Sequence, residues 1–155
     1  VSDQFITRLE GEQELLRQLR AVQHKLDYAR PMYERIGAVM ERNINLRFET
    51  KKDPAGVNWT PWKPRTVHQY SLASKGRKQG SLLERTRRMR NSLAYNASNT
   101  NTEIGFSVPY AQYHETGTSK MVRRGLLVAD IQHGELGQAD RSDILQVVSQ
   151  YLNPA

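Results

Sequence analysis

The residues able to do chemistry are few, and their spacing excludes more than it offers. Four histidines, His24, His68, His114 and His133, show no paired spacing suited to a zinc ligand set. His133-Gly-Glu135 matches the first half of a zinc deaminase signature, but the second half needs two cysteines and the chain has none. Without cysteine there is also no disulfide framework, no thiolate metal site and no cysteine nucleophile. Neither a Gly-x-Ser-x-Gly elbow nor a Gly-x-Gly-x-x-Gly loop occurs, and Gly76 and Gly80 are not followed by the Gly-Lys-Ser/Thr of a phosphate loop. His114-Glu115 is an acid/base pair by proximity; a histidine on a short turn, bonding its neighbours, explains it more simply. The expectation is a chain that is no enzyme and has no cofactor or metal site.

Charge is more informative. The formal net charge is +7, and Lys75, Arg77, Lys78, Arg85, Arg87, Arg88 and Arg90 lie in one segment opposed only by Glu84, so the rest of the chain is close to neutral. Three readings fit this segment. It is a solvated face, a surface for DNA phosphates, or a dock for an acidic protein, where arginine forks would supply specificity. No base-reading motif accompanies the charges, and no helix-turn-helix partner stands at the right spacing.

A second constellation is Gly56-Val-Asn-Trp-Thr-Pro-Trp-Lys-Pro-Arg-Thr66. It holds both tryptophans, Trp59 and Trp62, and with Pro54 it holds half of the prolines. Pro61 and Pro64 remove backbone donors and push their predecessors toward extended geometry. Two indoles in a stiffened loop either plug the end of a core or face a partner. On the residues alone both roles stay open, and the two can coexist in an oligomer.

The elements that would position these residues follow from periodicity. Ser2 or Asp3 caps a first helix with an apolar stripe of Phe5, Leu9, Leu16, Leu19, Val22 and Leu26. Pro31 suits the first turn of a second helix, whose stripe of Met32, Ile36, Val39, Met40 and Asn43 fades near Leu46 and Phe48. The two helices form either a hairpin or a kinked rod. Residues 49–80 then make the tryptophan loop, a short helical turn over Thr66 to Ala73, and a basic loop. Ser81-Leu-Leu-Glu84 fits a capping box for a helix that aligns Leu82, Thr86, Met89 and Leu93. Period two predicts a hairpin over about 93–108, stopped by Pro109, and a third strand near 126–129. Tyr110 to Gly117 reads as one helical turn with Gly117 at its stop. Asp140 or Ser142 caps a last helix that buries Ile144, Val148 and Tyr151. This is an α+β chain: a helical part over 1–48, the loops over 49–80, and an α+β part over 81–155.

At 155 residues one domain is the simplest organisation. A hydrophobic fraction of 37% and mean hydropathy of −0.72 are low for a compact monomer, which suggests burial against other chains. No apolar run approaches membrane-spanning length and the N-terminus lacks a signal-peptide core, so cytosolic synthesis without membrane contact is expected.

Taken in order, these segments resemble the phage virion morphogenesis family, which includes tail completion proteins of contractile-tailed phages. Pro54-Ala-Gly56 with Trp59-Thr-Pro-Trp-Lys-Pro-Arg-Thr66 is similar to its Pro-x-Gly-x-x-Trp-x-Pro-Leu-x-x-x-Thr pattern. Leu83-Glu-Arg-Thr-Arg-Arg-Met-Arg-Asn-Ser-Leu93 resembles Leu-x-x-Thr-x-x-x-x-x-Ser-Leu, and Tyr110-Ala111 with His114 and Gly117 resembles Tyr-Ala-x-x-His-x-x-Gly. Arg123-Arg124-Gly125-Leu126-Leu127 stands where the family has Arg-Pro-Phe/Leu-Leu-Gly, without the proline and with an extra stretch near Ile131 to Ala139. The resemblance runs from about Pro31 to Leu152. It implies a homo-oligomeric ring, commonly hexameric, in the neck or at the upper end of the tail. Such a ring caps the tail tube and joins it to the head connector. On this resemblance Trp59, Trp62, Tyr110, His114, Arg123 and Arg124 are interface residues, and the basic segment faces DNA in the channel or an acidic tube or connector surface. A basic nucleic-acid-binding protein is the alternative.

Overall fold

The computed structural model describes residues 11–74 and 81–153. The expected cap at Ser2 or Asp3, the stripe residues Phe5 and Leu9, and Lys75, Arg77 and Lys78 of the basic loop lie outside the described residues.

Among the described residues six helices and one hairpin follow in the order α1 (Glu12–Asp27), α2 (Arg30–Thr50), α3 (Pro64–Ser74), α4 (Arg88–Asn91), β1 (Leu93–Ala97), β2 (Thr102–Phe106), α5 (Ala111–Thr116) and α6 (Gln138–Leu152). The α+β class stands. The chain breaks between α1 and α2 at Tyr28 and Ala29, and Pro31 occupies the first turn of α2, where its missing N–H costs nothing.

The second helix is the spine. Its stripe does not fade near Phe48 but deepens there: Ile44 and Phe48 are fully buried, and the helix runs on to Thr50. One half of the stripe (Met32, Ile36, Met40) packs with Ala29 and Val147, and α6 covers it. The other half (Ile44, Phe48) packs with Trp59, Met89, Leu93, Val108 and Leu126. Ile104 touches both clusters. The hairpin lies against the same spine, with Leu93 opposite Phe106 and Tyr95 opposite Ile104. Tyr95 sits directly on Gly37. A Cβ there would come within 2.2 Å of the ring, which explains a glycine inside a long helix. The Ser98 hydroxyl closes the hairpin by accepting the N–H groups of Thr100 and Asn101, both at 3.1 Å.

Three expectations are corrected. The helix predicted from the Ser81-to-Glu84 box does not form: only Arg88–Asn91 is helical, because Leu83 and Arg87 take left-handed backbone (φ 59° and 57°). Neither box contact forms: the Ser81 hydroxyl donates to the Glu84 carboxylate at 2.9 Å and the Glu84 N–H to the Ser81 carbonyl at 3.0 Å, closing a turn from which Leu82 and Leu83 both lean on the core. The third strand near 126–129 is absent, because the N–H groups of Leu126, Leu127 and Val128 all donate to the Glu115 carboxylate (2.7, 3.1 and 3.1 Å) instead of to a neighbouring strand. The last helix starts at Gln138 rather than from an Asp140 or Ser142 cap, and Asp140 turns inward.

Asp140 is fully buried and pairs with Arg47 of α2, whose other guanidinium nitrogen donates to the Leu126 carbonyl. One guanidinium thus ties α2, α6 and the 126–128 loop together. Removing one partner of a buried pair leaves an uncompensated charge. Arg47→Ala is therefore expected to lower the unfolding free energy by about 3–5 kcal/mol in urea titrations, and Arg47→Met with Asp140→Leu to recover most of that loss. Equal losses in the single and double variants would show that the pair is not what holds the three elements.

Candidate functional site

The tryptophan loop begins with a turn. Asp53 accepts the N–H of Val57 on its side chain (2.8 Å), Gly56 takes left-handed backbone (φ 84°), and the Trp59 N–H returns to the Lys51 carbonyl at 2.7 Å. Pro54 is buried against Gly137 at the head of α6, where any Cβ would lie 2.1 Å from the Pro54 carbonyl oxygen. This return drops Trp59 into the core. Its indole is 5% exposed, stands edge-on to Phe48 and donates Nε1–H to the Gly125 carbonyl at 3.1 Å.

Trp62 takes the other course. It is half-buried, edge-on to Tyr70 of α3 with ring centroids 5.1 Å apart, and it lines a groove of about 430 Å3. The opposite wall carries Tyr110, His114, Met121 and Arg124, and Met89 lies at the same groove. The structure therefore gathers Trp62, Tyr110, His114 and Arg124 in one place, leaves Trp59 in the core, and sets Arg123 aside as a brace. The Arg123 guanidinium donates to the carbonyls of Glu115 (2.7 Å) and Val128 (2.6 Å). Arg124 is 9% exposed and donates to the Thr60 carbonyl at 2.9 Å, so it holds the tryptophan loop against the Tyr110 turn.

The adjacent His114 and Glu115 do different work. Glu115 binds three backbone donors and shapes the 126–128 loop. His114 is held below the usual histidine range by burial and by the nearby Arg124 charge, and its Nδ1 is buried with no hydrogen-bond partner. The two side chains share no hydrogen bond and make no acid/base couple. Among the described residues, no three histidines or carboxylates are grouped to hold a metal ion.

The basic segment is divided as well. Arg85 stacks over the Tyr70 ring at 4.5 Å and joins the groove wall, while Arg87 and Arg88 are exposed. Arg90 turns back to pair with Glu84 (2.9 Å) and Glu49 (2.8 Å). Nothing in the sequence pattern marks Tyr70, Lys63 or Lys120, which also line the groove. They come from separate segments that only the tertiary fold brings together.

Glu84 also binds Lys51 at 2.6 Å. Burial would raise its carboxyl, but the hydrogen bonds from Lys51, Arg90 and Ser81 outweigh that and hold it at about 2 against an ordinary 4.5. A depressed carboxyl contributes stability above its unfolded value and loses it as pH falls toward its folded value. The urea midpoint is thus expected to drop between pH 4.5 and 2 more steeply in the wild type than in Glu84→Gln. Parallel acid profiles would show that Glu84 does not stabilise the turn.

Comparison with known proteins adds the family. The profile of the phage virion morphogenesis family matches residues 11–153. Searches of curated proteins and of solved structures found no significant match. The match spans every described helix and strand, the buried Trp59 turn and the groove, and on that ground the chain belongs to the phage virion morphogenesis family.

Proposed function

We propose that this chain is a non-catalytic assembly subunit that forms a ring, caps the tail tube and joins the tail to the head. The single observation that carries the proposal is the outer face of α1. Leu15, Leu16, Leu19 and Leu26 are each 44% exposed or more, on a helix with the spacing of a packing face, and no described element of the same chain covers them. The helix is nonetheless anchored at its C-terminal end. Tyr151 of α6 donates to the Lys25 and Tyr28 carbonyls (3.0 and 2.9 Å), and Lys25 donates to the Leu152 carbonyl at 2.7 Å. An anchored helix with a bare leucine face suits a head-to-tail contact between identical subunits, and such contacts close into rings.

Nucleic-acid binding is the second reading, favoured by the exposed Arg87 and Arg88. The two readings combine if those arginines line the channel of the ring, where DNA passes without being read.

Light scattering on the purified chain separates them. The assembly reading expects a closed oligomer that falls to a monomer when Leu16 and Leu19 are both changed to Glu. A wild-type monomer that binds free duplex tightly, with affinity falling steeply as salt rises, would replace it with the second reading.

A further inference from the structure

The groove between the tryptophan loop and the Tyr110 turn is chemically one-sided. Its cations are Lys63, Arg85, Lys120 and Arg124, and among the described residues no carboxylate lines it. Among the described residues, Lys63, Arg85 and Lys120 form no ion pair. Some cations elsewhere do meet carboxylates, as Arg17 meets Glu14, Arg30 meets Glu34, Arg42 meets Asp143 and Lys51 meets Glu84, so the three at the groove keep their charge for a partner.

Between the cations the walls are aromatic and apolar. The Arg85–Tyr70–Trp62 stack builds one wall, and Tyr110 with Met121 builds the other. His114 lines the same space, and its Nδ1 is buried without a hydrogen-bond partner. A buried polar atom without a partner is unusual in a folded chain.

We infer that this groove docks an extended, acidic segment of a partner protein, its carboxylates on Lys63, Arg85 and Lys120 and an apolar side chain between Trp62 and Tyr110. The inference rests on the assembly reading and deepens it, naming the chemistry of what the subunit meets. A protein segment fits better than nucleic acid because the space is small and partly enclosed. About 430 Å3 accommodates a few side chains, whereas a duplex would touch only the rim. The stack also presents flat aromatic surface and guanidinium together, which suits an apolar residue flanked by carboxylates. Arg87 and Arg88 lie outside the groove, so the charge reaching DNA and the charge reaching this segment are separable.

The test is fluorescence anisotropy on the full chain at physiological salt. The probe is a fluorescein-labelled peptide alternating aspartate with leucine and phenylalanine. Controls are the same peptide with lysine for aspartate, and a labelled oligothymidylate. The expected result is saturable binding of the acidic peptide alone, weakened about tenfold or more by Lys63→Glu with Lys120→Glu. Binding should be unchanged by Arg87→Glu with Arg88→Glu. All four positions are exposed, and circular dichroism with urea midpoints checks that both double variants fold. No binding, or equal loss from the two double variants, would overturn the inference by reducing it to net charge. Oligothymidylate binding that is lost with Lys63 and Lys120 would reassign the groove to nucleic acid. A chain that forms rings yet ignores the peptide overturns this inference alone, since ring formation is read independently by light scattering.

Discussion

The Arg47 guanidinium is the point on which the rest of the structure depends. It leaves the spine helix one turn before that helix ends, pairs with a fully buried Asp140 at the start of α6, and donates to the Leu126 carbonyl. Taking two charges out of water is expensive, and their mutual attraction offsets this only with good geometry and every remaining polar site satisfied. Asn43 supplies part of that, donating to Asp140 at 3.1 Å. Because all three partners belong to different segments, the loop after α5 is set relative to both helices. That loop is what Trp59 bonds through the Gly125 carbonyl, and what places Arg124 beneath the groove.

The Pro-x-Gly-x-x-Trp element acquires a physical meaning from this. Pro54 and Gly56 make a turn tight enough to dock on Gly137, and the turn sends the chain back past the end of α2. One indole then fills the core beside Phe48. The second indole, three residues on, falls on the far side of Pro61 and lies against α3. The loop is both plug and outer wall. Trp59 takes the core-plug role, while Trp62 stays outside the core on the groove wall.

Much of this was legible in the sequence where a period was long enough to speak. The α2 stripe, the hairpin from Leu93 to Phe106, the Tyr110 turn ending at Gly117 and the last helix all follow from spacing and stop residues. Legibility failed where long-range polar contacts override local preference. Ser81 to Glu84 reads as a helix start, yet Glu84 is claimed by Lys51 and Arg90, and the chain turns at Leu83 and Arg87 instead. Leu126 to Val128 reads as a strand, yet Glu115 takes its N–H groups. Arg90 reads as part of a basic face, yet it turns inward to Glu84 of its own segment and to Glu49 on α2. In the groove, Trp62 and His114 stand out by type, whereas Tyr70, Lys63 and Lys120 have no local signature at all.

The chain combines an anchored helix with a bare leucine face, a buried polar junction that holds the other elements in register, and a basic groove facing outward. Each suits the assembly role proposed above. The most direct measurement is cryo-electron microscopy of tails purified from the phage that encodes this chain, with the protein located by a specific antibody. The account predicts a ring of copies closing the head-proximal end of the tail tube. Tails whose ends carry no such ring, or antibody label confined to the host cytoplasm, would contradict it.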